Sequence, residues 1–145
     1  MFVLVDTPIW SLALRRRTGV LNAAEQRLTS ALADLIQEGR AQILGPIRQE
    51  VLSGIREDVQ FKKLRDALRA FGDPTLEAAD YEEAASMCNK CRSRGVAGSA
   101  VDFLICAAAH RRGWALFTID RDFYHYAQVL PLRIYPVSQA NILRN

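Results

Sequence analysis

Two apolar runs constrain this chain more than anything else in it. Residues 2–5, Phe-Val-Leu-Val, and residues 114–117, Trp-Ala-Leu-Phe, contain no polar residue, and each then meets a hydroxyl or a carboxylate. A strand with one face in water alternates apolar with polar residues. A strand that is apolar throughout is covered on both faces, which is the situation of a parallel sheet between helices. The remaining sequence supplies those helices. Thr7 is a candidate cap and Pro8 suits a first turn, opening a short helix through Trp10, Leu12 and Leu14 that stops near residues 15–19. Ala24, Leu28, Ala31, Leu32, Leu35 and Ile36 recur at helical spacing, with Gly39 beyond the end.

A short strand is expected over 41–45, then a helix opened by Pro46 to about residue 54, and another over 59–71. Asp80 and Glu83 have the spacing of a capping box for a helix carrying Tyr81, Ala84, Ala85 and Cys88. Residues 98–113 read as an alanine-rich helix closed by Gly113, 121–127 as a short helix and 132–136 as a last strand. Residues 72–79 leave room for an edge strand. Strands alternating with helices throughout predict one α/β domain over residues 1–145, with a mostly parallel sheet.

Composition excludes some functions and selects none. No apolar run approaches the roughly 20 residues of a membrane span. No basic stretch, apolar core and cleavage site open the chain, so a secretory signal is not expected. Three cysteines, an odd number, do not suggest a disulfide framework, and the cytoplasm is the expected compartment. Nineteen basic against sixteen acidic residues give a net charge of +3, which permits a nucleic-acid partner without demanding one.

The carboxylates are more informative. In a parallel sheet, ligands bind beyond the carboxyl ends of the strands. Asp6 ends the first apolar run and Asp120 follows the second, so both should open onto one rim. Each is equally readable as a helix N-cap. Glu50 falls at helical spacing with Ile47 and Val51, and Asp102 with Ile105, Cys106 and Ala109, so both are expected to turn inward. An unpaired buried carboxylate is costly, so it is paired with a cation or neutralised. That cation could be an arginine, with Arg48 and Arg111 as candidates, or a divalent metal shared by all four acids. Oxygen ligands with few histidines point to a hard ion, Mg²⁺ or Mn²⁺. Such an ion lowers the pKa of a bound water and neutralises charge on a phosphodiester.

The segments VLVDTPIW, PIRQEVLSGI, SAVDFLICAAA and LFTIDRDF, in this order along nearly the whole chain, resemble the PIN-domain ribonucleases, and among them the VapC-type toxins of type II VapBC toxin–antitoxin systems. The resemblance implies a three-layer α/β/α fold and a magnesium-dependent endoribonuclease, a hydrolase leaving 5′-phosphate and 3′-hydroxyl ends, with manganese a possible substitute. It also implies an RNA substrate, a homodimer and a small VapB-like antitoxin. The family's four acids fall on Asp6, Glu50, Asp102 and Asp120, as catalytic residues and metal ligands. Asp122 matches an additional acid of some members, and Thr7 and Thr118 match supporting hydroxyl residues. At Pro8 the chain departs from the small polar residue more usual there.

Arg15, Arg16, Arg17 and Arg121 are candidates to hold RNA phosphates, or equally are solvated surface residues. A PIN-like scaffold that grips RNA or protein without cutting is the alternative reading. A phosphohydrolase using Asp6 as nucleophile would need a second Asp where Pro8 stands. Cys88 and Cys91 form a lone C-x-x-C better suited to packing than to zinc, which would want two more ligands. His110 and His125 receive no catalytic role, and Trp10 and Trp114 are expected to pack.

Overall fold

The computed structural model describes residues 1–15 and 18–137. Three strands, β1 (Val3–Val5), β2 (Ala41–Gln42) and β3 (Ala115–Phe117), form a parallel sheet in the order β2-β1-β3. The register sets Val3 against both Ala41 and Ala115, and Val5 against Phe117. Every residue of β1 is fully buried, so both faces of the sheet are covered, as its unbroken apolar pattern requires. The helices are α1 (Thr7–Arg15), α2 (Ala23–Gln37), α3 (Gly45–Leu52), α4 (Asp58–Leu68), α5 (Ala78–Ser93), α6 (Ala100–Arg112) and α7 (Arg121–Ala127). A 3-10 turn at Thr18–Val20 precedes α2, which Asn22 and Glu25 start with a reciprocal capping box. No helix among the described residues is long and apolar enough to cross a membrane.

The sheet order makes β1 the point where the chain reverses direction. It leaves β1 to build β2 on one side, then crosses back to build β3 on the other. Crevices open at the carboxyl edge of such a strand. Helices in these crossovers run against the strands, which brings the N-termini of α1, α3, α6 and α7 to that same edge.

Three expectations differ from the structure. The predicted last strand is a single parallel bridge, Leu116 to Ile134; Pro131 and Pro136 bracket it, and proline cannot donate to a ladder. No strand forms over 72–79 among the described residues. Arginines take the carbonyls of this region: Arg48 donates to those of Leu68 and Phe71, and Arg112 to that of Thr75. The α5 capping box is Glu77 with Asp80, not Asp80 with Glu83. Asp80 stands in the first turn with its side chain fully buried, bonded to Arg111 at 2.7 Å and to Arg112 at 2.8 and 3.0 Å.

The cysteines and tryptophans weighed for chemistry pack in or against the core, and His110 and His125 are exposed. Cys88 and Cys91 are free thiols on α5, and burial raises the Cys91 pKa. Trp10 donates from its indole to the Val5 carbonyl at 3.0 Å and lies edge-on against Phe71. Trp114 stands edge-on to Phe2, beneath the Arg112 guanidinium.

Candidate metal centre

Asp6 extends β1 by one residue. Its amide donates to the Phe117 carbonyl at 2.9 Å, so the register sets Asp6 beside Thr118. The Thr118 hydroxyl donates to Asp6 Oδ2 at 2.7 Å and accepts the Asp120 amide at 3.0 Å. One hydroxyl thus orients the first acid and the backbone of the fourth. Asp6 Oδ1 accepts the Thr7 amide at 2.9 Å, and the Asp6 carbonyl accepts from Ile9 in the first turn of α1. Asp6, rather than Thr7, therefore stands at the mouth of that helix. Asp6 thus starts a helix from the carboxyl edge of the central strand.

Asp6 is 5% exposed. Burial raises its pKa to about 6, with the Thr118 and Thr7 hydrogen bonds opposing and the charges of Asp120 and Glu50 adding to the rise. Asp120 and Glu50 thus both stand near enough to act on Asp6. Among the described residues no lysine or arginine pairs with Asp6, Glu50, Asp102 or Asp120. The two arginines named as alternatives are committed elsewhere, Arg48 to Asp73 at 2.7 Å and Arg111 to Asp80.

Glu50 is exposed, contrary to the inward orientation expected of it. Ile47 and Val51 form the buried stripe of α3, and at 100° per residue Glu50 lies about 80° from its centre. It therefore projects over the rim instead of into the core. There its Oε2 accepts the Thr7 hydroxyl at 3.2 Å, which brings the second acid beside the first.

Asp102 stands in the first turn of α6, half-buried, its amide donating to the Ser99 hydroxyl at 3.1 Å. Its Oδ2 accepts the Tyr126 hydroxyl at 2.7 Å. Cys106, one turn further along α6, is fully buried, and its pKa is raised by burial first and then by Asp102, Cys91 and Asp6. Burial and Asp102 likewise raise the Tyr126 pKa, which keeps the phenol a donor. Asp120 caps α7, its Oδ1 accepting the amide of Asp122. Asp122 itself is exposed, as are Arg15 at the end of α1 and Arg121 at the start of α7. Arg16 and Arg17 lie outside the described residues.

Sequence reasoning passed over Tyr126. The signal was there, because Phe123 and Tyr126 are three apart on a short helix and a buried phenol needs a polar partner. As the side chains stand, no three of His, Cys, Asp or Glu among the described residues are grouped tightly enough to hold a metal ion. The donor set nonetheless suits a hard divalent cation. Every candidate is a carboxylate, and Asp6 is buried beside like charges without a basic partner among the described residues. The second oxygens of Glu50, Asp102 and Asp120 accept no hydrogen bond among those residues.

A family model described as PIN domain matches residues 3–129. Comparison with curated protein sequences finds no significant match. Among solved structures, FitAcB from Neisseria gonorrhoeae is similar at a TM-score of 0.73 and 18% identity, covering 93% of this chain and 97% of that one. VapBC2 from Rickettsia felis, bound to a DNA fragment from its promoter, is similar at a TM-score of 0.69 and 16% identity, covering 93% and 98%. A toxin–antitoxin complex from Klebsiella pneumoniae is similar at 0.65 and 21%, covering 91% and 99%. The parallel α/β/α scaffold, the acids at the carboxyl edge of its central strand and the family match over most of the sequence agree: the chain belongs to the PIN domain family.

Proposed function

We propose that the chain is a divalent-metal-dependent endoribonuclease, the toxin of a toxin–antitoxin pair, acting as one PIN-like domain over residues 1–145. The observation that carries this reading is Asp6, buried at the carboxyl edge of the central strand beside Glu50 and Asp120, with no arginine or lysine to neutralise it among the described residues. Asp6, Glu50, Asp102 and Asp120 would hold Mg²⁺, or Mn²⁺ in its place, with Asp122 a further candidate. When bound, the ion supplies an activated water and neutralises charge on the scissile phosphate. Thr118 and Thr7 hold Asp6 in place, and Thr7 also holds Glu50. Arg121, exposed at the start of α7 on the same rim, attracts RNA phosphates, and Arg15, exposed at the far end of α1, is a more distant candidate. Hydrolysis leaves a 5′-phosphate and a 3′-hydroxyl. The similarity to complexes of toxins with antitoxins supports a small VapB-like protein as partner, and the assembled form we propose is a homodimer.

The test is a map of new RNA 5′-phosphate ends after brief induction of the wild type beside Asp102→Asn. Ends at a few sites, present only with wild type, are expected. Identical maps from two folded proteins, with no antitoxin present, would remove catalysis and leave the scaffold reading.

A further inference from the structure

We propose that Tyr126 is a positioning residue for Asp102: its phenol pins one carboxylate oxygen and leaves the other to the metal face, in a fit that requires Gly98 to carry no side chain. The inference rests on the metal-dependent reading given above. Tyr126 is 1% exposed, and its ring is set between Phe103 at 5.0 Å and Phe123, edge-on, at 5.4 Å. From this position its hydroxyl donates to Asp102 Oδ2 at 2.7 Å. Phe103 follows Asp102 directly on α6. The same contact therefore fixes the helix and the acid it carries.

Gly98 supplies the space. A Cβ there would collide with the phenol ring and hydroxyl. Its φ is not among the positive values, so what the position needs is absent volume, not unusual backbone freedom. A phenylalanine at 126 would fill the core equally well; the tyrosine adds only the hydroxyl. The bond also links two segments of the crevice, since α7 begins at Asp120 and α6 carries Asp102. Partners of this kind, which orient a metal-binding carboxylate, typically change affinity by about 10–100-fold when removed.

The experiment is calorimetric titration of Mn²⁺ into metal-free wild type, Tyr126→Phe, Gly98→Ala and Asp102→Asn, with thermal melts of each without metal. Wild type is expected to bind and Asp102→Asn to lose binding. Tyr126→Phe and Gly98→Ala should each weaken Mn²⁺ by about 10–100-fold, a change that a purely structural tyrosine would not produce. Wild-type affinity in a folded Tyr126→Phe, beside loss in Asp102→Asn, overturns the positioning role and leaves the metal reading intact. Failure of wild type itself to bind overturns both. Should Tyr126→Phe not fold, Gly98→Ala carries the same two outcomes.

Discussion

At Asp6, burial and hydrogen bonding oppose one another and burial prevails, taking the carboxyl from 3.8 to about 6. The folded protein then holds the proton more tightly than the unfolded chain. Below the ordinary value both states are protonated and the fold keeps its full stability. As pH rises through 6, the fold must ionise a buried group and stability falls. Metal-free Asp6→Asn should therefore exceed wild type by about 2–3 kcal/mol at pH 7.5, an advantage that vanishes near pH 4. Urea unfolding at the two pH values checks this, and a less stable Asp6→Asn at pH 7.5 would reveal an unseen cation partner. Mn²⁺ should raise the melting temperature of wild type more at pH 7.5 than at 5.5, and that of Asp6→Asn at neither. Asp6 was legible because a carboxylate ending an apolar run is conspicuous. The orientation of Glu50 was not, because i+3 spacing places a residue either on a buried stripe or at its margin. Packing against α1 decides between them.

Helices α5 and α6 are locked together by Asp80, Arg111 and Arg112, and the closure is charged. Arg112 grips the buried carboxylate through both oxygens and also takes the carbonyls of Ala108 and Thr75. Arg112→Leu should cost about 3–5 kcal/mol, since it strands part of a buried charge. Arg111→Leu should cost less, because the two-oxygen grip of Arg112 survives it. Equilibrium urea unfolding of both variants gives the comparison, and equal losses would contradict it. The arginines hold the Asp80 pKa well below the usual carboxylate range. This contribution is thus complete at neutral pH and disappears only on strong acidification, the reverse of Asp6. Helix periodicity was readable along the sequence because it depends on near neighbours. The role of Asp80 was not: D-x-x-E and E-x-x-D both occur there, and the choice was made by arginines 31 and 32 residues away.

For the whole molecule, the α/β class followed from two apolar runs; Asp6 and Asp120 stood out by their position after those runs, and Glu50 and Asp102 by a helical spacing that turned them inward, although Glu50 is exposed and Asp102 half-buried. What stayed hidden depends on close approach between distant segments, as in the collision that any side chain at Gly98 would make with Tyr126. At this scale the expected outcome is loss of RNA cleavage on chelation of divalent cations with EDTA, and recovery with Mg²⁺ or Mn²⁺. Cleavage that persists in EDTA would exclude the metal-dependent reaction.

The hydrogen bond from Thr118 to Asp6 joins residues 112 positions apart. The central strand is made well before one of its two neighbours, β3. At about 5–20 residues per second of synthesis, on the order of 6–20 seconds separate the first acid from the hydroxyl that orients it. A site built in this order is completed late: Asp6 lacks the hydroxyl that orients it until the ribosome has read to β3 and beyond.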